Sequence, residues 1–366
     1  MRNTHNVQDQ ETLWQIKLIE NETTTIFYPA ECVRSAKPNI CRFSCFQGRV
    51  HNSRSRMKRC KSWAVFIFEP NHSFQGFPAG PMPMFMSDIL KEVAAHPEKT
   101  AWHQYTRVDF GHPRLVNVLA RLYSGLYSRQ ISANDEVLVT VGAYLSLYYS
   151  FMGFINHGDE VLSKMIILNN PNNPTGKLFT RDELENIAQL ARDFNLIVVA
   201  DEVYEWHVWD KQMIRFASLP GMYDRTISIG SAGKAFSVTG WKLGWCIAPK
   251  HLMTPIRMMH QNCVFTCSTP TQEAIATAFE MELDLFTKSP SKSYLLTALP
   301  NELRTKCEQM YKMLHEGGFD PIMPDAGYFM IARFGKLDGP FKVPDASNDP
   351  LDYRFVRWLC RGKRYT

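Results

Sequence analysis

The chain has 366 residues, enough for two domains and a large buried core. Its 45% hydrophobic and 21% charged residues suit a globular protein, and a formal charge of +5 is too mild to point to nucleic acid or a membrane surface. Apolar runs fall far short of a membrane span, and nine irregularly spaced cysteines point to reduced thiols in a cytosolic or mitochondrial matrix compartment.

Residues 1–72 carry Cys32, Cys41, Cys45 and Cys60 and many basic residues, with no sustained helix or strand period. A zinc set of Cys41, Cys45, His51 and Cys60 matches no common spacing. The early acids Asp9, Glu11, Glu20 and Glu22 argue against a transit peptide. The segment reads as a divergent, disordered leader. From Pro83 the pattern becomes regular. Asp88 is expected to cap a helix through about Ala95, and leucines at helical spacing predict a second helix over 112–127. The strand EVLVT (136–140) runs through Val141 and Gly142 into an apolar helix beginning near Ala143 and Tyr144. A helix start after a glycine turn presents free backbone N–H groups, a seat for a phosphate.

Next come a buried strand over 165–168, the loop NNPNNPTGK, and a helix from Thr180 to about Phe194 opened by a Thr180–Glu183 capping box. Strands follow over 196–200, closing at Asp201, and over 227–231 and 244–248. A long helix after Pro270, a helix over 299–317 and a strand over 328–332 complete the series. Alternating strands and helices predict an α/β fold with a mostly parallel sheet and flanking helices, plus a smaller α+β domain. The expected division is 73–287 and 288–366. One junction departs from this pattern: Gly158–Leu162 reads as a strand entry, yet the next strand starts at Met165, too soon for a parallel crossover.

The most informative stretch is TISIGSAGKAFSVTGWKLGW, residues 226–245. A strand ends in small residues around Lys234, and Lys242 sits in what reads as an apolar frame of tryptophans and Leu243. Lysines so placed suit a lowered pKa and covalent chemistry. A solvated surface turn is the plain alternative. A nucleotide phosphate loop is excluded, because Ser228 stands where it needs glycine and Ala235 where it needs Ser or Thr.

With HQYTRVDFGHPRLV, NNPTGK, LIVVADEVY and this lysine run in order, the chain resembles the fold-type I aminotransferases that use pyridoxal 5'-phosphate (PLP). Within them it is similar to the kynurenine–oxoglutarate transaminase and cysteine-S-conjugate β-lyase group. The resemblance implies an aspartate aminotransferase-like PLP-transferase fold and roles for individual residues. Lys234 would bind the cofactor covalently and act as general acid/base. Asp201 would pair with the protonated pyridine nitrogen, since a buried carboxylate is costly without a partner. Tyr204 and Asn173 would meet the cofactor's phenolic oxygen, and Asn173 also the substrate carboxylate. The backbone of Ala143 and Tyr144, with Ser231 and Lys242, would hold the phosphate, joined by Tyr105 from a neighbouring subunit of a homodimer. Gly76 and Phe265 would line the substrate pocket.

Amino acids and 2-oxo acids are the implied substrates, with no nucleic acid or membrane partner. The resemblance also implies a ring-stacking aromatic in a segment without counterpart near 161–165, and a carboxylate-binding arginine beyond Thr366, so both domains read as incomplete. Arg354, Arg357, Arg361 and Arg364 lie in the wrong context for that arginine. Two readings follow: a transaminase acting on kynurenine, other aromatic or sulfur amino acids, or glutamine; or a catalytically impaired form that keeps the cofactor residues. An aminocyclopropane-carboxylate synthase-like lyase is disfavoured by GKAFSVTGWKLGW and FGHPRLV.

Overall fold

Apolar and β-branched runs supply the strands, and the computed structural model describes residues 63–67, 81–108, 110–155 and 164–334. Gly76, the Cys41, Cys45, His51 and Cys60 set, the strand entry at 158–162 and the four terminal arginines lie outside the described residues. In chain order the strands are β1 (Trp63–Ile67), β2 (Val137–Thr140), β3 (Met165–Asn169), β4 (Ile197–Asp201), β5 (Thr226–Ser231), β6 (Gly244–Ile247), β7 (Asp320–Ile322) and β8 (Phe329–Arg333). The helices are α1 (Met84–Ala94), α2 (Pro113–Tyr127), α3 (Ala133–Glu136), α4 (Ala143–Phe154), α5 (Arg181–Asp193), α6 (Ala232–Ala235), α7 (Lys250–Cys263), α8 (Thr269–Lys288) and α9 (Leu299–Glu316).

The main sheet has the order β2-β6-β5-β4-β3. β3, β4 and β5 pair in parallel, while β6 runs antiparallel to both β5 and β2. Four of its strands therefore point one way, as the alternating pattern predicts, and β6 is the exception. Its reversal has a local cause: the chain turns back within 232–243, so β6 starts at the edge where β5 ends. Val137, Val139, Val198, Val199, Ile227 and Trp245 are fully buried, the pattern of strands covered on both faces. Helices α2, α4 and α7 pack against this sheet. A second sheet has the order β1-β8-β7. The WAVFI run of β1 is thus a strand inside the segment read as a leader, in keeping with its β-branched and aromatic residues.

Two helix starts show how sequence sets boundaries. Thr180 and Glu183 form the expected capping box, each side chain accepting from the other's backbone N–H. Asp88, by contrast, does not cap α1. That helix begins four residues earlier after Pro83, whose fixed φ of −54° leads into the first turn, and Asp88 instead pairs with Lys91 on the exposed face at 3.3 Å. Packing divides the chain into a large unit, 65–313 with 322–331, and a smaller one that includes 314–321 and 332–334. Every site residue discussed below belongs to the large unit.

Candidate active site

Parallel pairing brings strand ends to one edge of the main sheet, where polar residues close apolar strands. Asn169 ends β3 and is the register partner of Asp201, which ends β4. Ser231 ends β5 opposite Gly244, the first residue of β6.

Asn169 organises the first half of the site. Its Nδ2 donates to Asp201, at 3.1 Å to the backbone oxygen and 3.3 Å to Oδ2. Its Oδ1 accepts the Asn173 backbone N–H at 2.7 Å. Asn173 Nδ2 in turn donates to the Tyr204 hydroxyl at 3.1 Å. Burial pushes the Asp201 carboxyl up to about 6, against the opposing pull of a Val203 backbone hydrogen bond and the Lys234 charge. Asp201 Oδ1 is buried with no hydrogen-bond partner among the described residues, so the carboxylate is short of one donor. Asn170 and Asn172 serve the loop itself: Asn170 Oδ1 accepts from Phe179 N, and Asn172 Oδ1 from the Thr175 hydroxyl at 2.6 Å.

Lys234 lies on α6, where Ala232, Gly233 and Ala235 are buried. Its ammonium donates to the Tyr328 hydroxyl at 2.5 Å and lies 5.4 Å from the Tyr204 ring centre. Burial lowers the Lys234 pKa to about 8, although the Asp201 charge pulls it upward. The same burial, with the Lys234 charge adding to it, holds the His207 ring down to about 3, so that imidazole is neutral. Lys234 thus carries the lowered pKa that its small-residue setting predicts.

The other lysine is different. Lys242 is exposed, with left-handed backbone at φ 53°, while Leu243 and Trp245 turn into the core. The expected apolar frame for Lys242 is therefore corrected: the frame holds its neighbours, and the ammonium stays outside it. That ammonium lies 3.7 Å from where a Cβ on Gly142 would stand. Gly142, at φ 77°, is the N-cap of α4 and offers no side-chain cap, and the first-turn N–H groups of a helix lack intrahelical partners. A Cβ on Gly244 would collide with Ala143 N and stand 2.7 Å from the Gly142 carbonyl carbon. Only glycine lets β6 approach the helix start so closely. Helix start and ammonium together form a seat for an anion. Ser231, the N-cap of α6, makes no capping bond with its side chain.

Tyr105 is 76% exposed and lies edge-on to Phe265, itself half exposed with φ 73°. The structure brings these two together. Glu202 turns away from Asp201, as its place in the strand implies, and accepts the Phe216 N–H at 2.9 Å in the core. Two residues that sequence reasoning left out contact the candidate residues directly. Asn169 was legible as a polar end to MIILN, in register with Asp201. Tyr328 had no local signal, because the contact that recruits it spans 94 positions.

Residues 163–348 match the family described as aminotransferase class I and II. The chain is 38% identical to kynurenine–oxoglutarate transaminase 3 of Homo sapiens, covering 79% of this chain and 74% of that protein. It is 35% identical to kynurenine–oxoglutarate transaminase 1 of Homo sapiens, covering 79% and 81%. Among solved structures it is similar to Bna3p of Saccharomyces cerevisiae, with a TM-score of 0.71 and 26% identity over 78% of each chain. It is also similar to N-succinyldiaminopimelate aminotransferase of Mycobacterium tuberculosis, with a TM-score of 0.62 and 28% identity over 69% of this chain and 74% of that one. The lysine, the asparagine–aspartate–tyrosine cluster and the anion seat thus stand in a chain that belongs to the class I and II aminotransferase family.

Proposed function

We infer that this chain uses PLP to move the amino group of kynurenine, another aromatic or sulfur amino acid, or glutamine to a 2-oxo acid. The observation that carries the reading is that Lys234, its pKa lowered by burial, and the donor-deficient carboxylate Asp201 feel one another's charge. The residues fit the cofactor. Asp201 Oδ1 lacks the donor that a protonated ring nitrogen would provide, and the seat at Gly142, Ala143 and Tyr144 beside Lys242 and Ser231 suits a phosphate dianion. Tyr204 and Asn173 would meet the ring's phenolic oxygen. Bound PLP supplies an electrophilic aldehyde and an electron-withdrawing ring.

Lys234 is poised for proton transfer. With a pKa near 8, a useful fraction of its amine is unprotonated at neutral pH, so Nζ can take and return a proton at the substrate α-carbon. Asp201, paired with a cation, would sit below its present value near 6 and carry the charge that keeps the ring nitrogen protonated. Asn173 holds Tyr204 in place and has its amide available for a substrate carboxylate. Gly76 and Phe265 belong to this reading as substrate-pocket residues. So does Tyr105, whose exposure suits contact with a second copy of the chain, as in a homodimer. Removal of the α-proton with a leaving group at Cβ would give cysteine-S-conjugate β-lyase activity at the same site.

No described helix is long and apolar enough to cross a membrane, and the described cysteines are free thiols. A cytosolic or matrix setting belongs to this reading on the irregular cysteine spacing of the sequence alone. No observation among the described residues favours the catalytically impaired alternative. The test is transfer itself: incubation with kynurenine or glutamine and a 2-oxo acid should yield the matching amino acid, detected by chromatography. Cofactor binding with no product from any donor in the proposed class would reject the reading.

A further inference from the structure

The hydroxyl against Lys234 belongs to a loop that is tied down on three sides. Gly176 O accepts both the Asp325 and Ala326 N–H groups, at 2.9 and 3.0 Å. His207 O accepts the Gly327 N–H at 2.9 Å, and Val208 bridges to Ala326. Lys211 pairs with Asp325 at 2.7 Å. The next residue, Tyr328, is buried and packs its ring near Tyr204 (5.5 Å) and His207 (5.8 Å). So many ties leave its hydroxyl little freedom. It meets Lys234 Nζ on one side and the Tyr204 hydroxyl, 3.4 Å away, on the other.

Donor bookkeeping gives two of these contacts a direction. An ammonium and an amide NH₂ can only donate. The Tyr328 oxygen therefore accepts from Lys234, and the Tyr204 oxygen accepts from Asn173. Between the two phenols either oxygen can serve as donor. The 3.4 Å contact is long, of the kind that tightens once a ligand is seated.

We propose that Tyr328 is a further catalytic residue of this site: its phenol oxygen accepts from Lys234 Nζ and holds that nitrogen in place for proton transfer. The role in transfer rests on the PLP reading; the contact does not. Among the described residues, Asp201, Tyr204, Tyr328 and His207 face Lys234.

The test has two readouts on the full chain. Acylation of Lys234 with pH, followed by mass spectrometry without added cofactor, gives the amine's midpoint. Losing an acceptor disfavours the ammonium, so Tyr328→Phe should lower that midpoint by about one unit, the size of one hydrogen bond to a charged group. Tyr204→Phe should leave it in place. In PLP titrations, Tyr328→Phe should weaken binding about tenfold, the same hydrogen-bond scale. Tyr328→Met serves the same comparisons if the phenylalanine variant does not fold. An unmoved midpoint, or a PLP affinity unchanged by Tyr328→Phe, would overturn the proposal. If the parent binds no PLP, the PLP reading fails, while the lysine midpoint still decides the Tyr328–Lys234 contact.

Discussion

Asn169 and Asp201 are register partners at the ends of adjacent parallel strands, and the Asn169 amide bonds to Asp201 while its oxygen holds the Asn173 N–H at 2.7 Å. One side chain thereby fixes both the carboxylate and the asparagine proposed to meet the cofactor. Asn169→Ala should weaken PLP binding about tenfold or more, the scale of a buried partner left unsatisfied. Absorbance titration measures this, and an unchanged affinity would remove Asn169 from the site.

Glu205 and Arg215 form a buried ion pair at 2.8 Å, and Glu205 also accepts from the Tyr123 hydroxyl at 2.6 Å. Removing one partner leaves the other charge buried and alone. Glu205→Ala is therefore expected to destabilise the fold by about 3–5 kcal/mol, read from urea unfolding. A loss below about 1 kcal/mol would mean that water reaches the guanidinium, as at a surface pair.

Glu202 lies beside this pair, and burial pushes its carboxyl up to about 8 from an ordinary 4.5. A raised acid binds its proton more tightly when folded. Its contribution to stability is complete below about 4.5 and is lost as pH rises to about 8. Glu202→Gln has no such loss, so its melting temperature relative to the parent should be higher at pH 8 than at pH 5. Parallel melting curves across that range would show that Glu202 ionises normally.

Gly244 lets β6 touch the start of α4. Gly244→Ala should push the helix N–H groups away from Lys242 and weaken PLP more than pyridoxal, which has no phosphate. Equal losses for the two ligands would place the effect outside the anion seat.

Much of this was legible in the chain. Apolar runs closed by Asp201 and Ser231 announced parallel strand ends, and Thr180 with Glu183 announced a helix start, because both signals lie within a few residues. The lysine run and NNPTGK marked chemistry locally for the same reason. What escaped depends on distance or on backbone. Tyr328 reaches Lys234 only because loop 324–328 is tied to Gly176, His207 and Lys211, far away in sequence. The exposure of Lys242 follows from a left-handed turn that its tryptophan and leucine neighbours do not encode by composition. Pro83 outcompeted Asp88 as a helix start because its φ is covalently fixed.

The central claim is that Lys234 carries the cofactor. Incubating the full chain with PLP, reducing with borohydride and mapping peptides by mass spectrometry tests it directly. The account predicts one added cofactor mass on the peptide containing Lys234, and none on that peptide in Lys234→Ala. Modification spread over exposed lysines, or retained in the alanine variant at the parent's level, would contradict it.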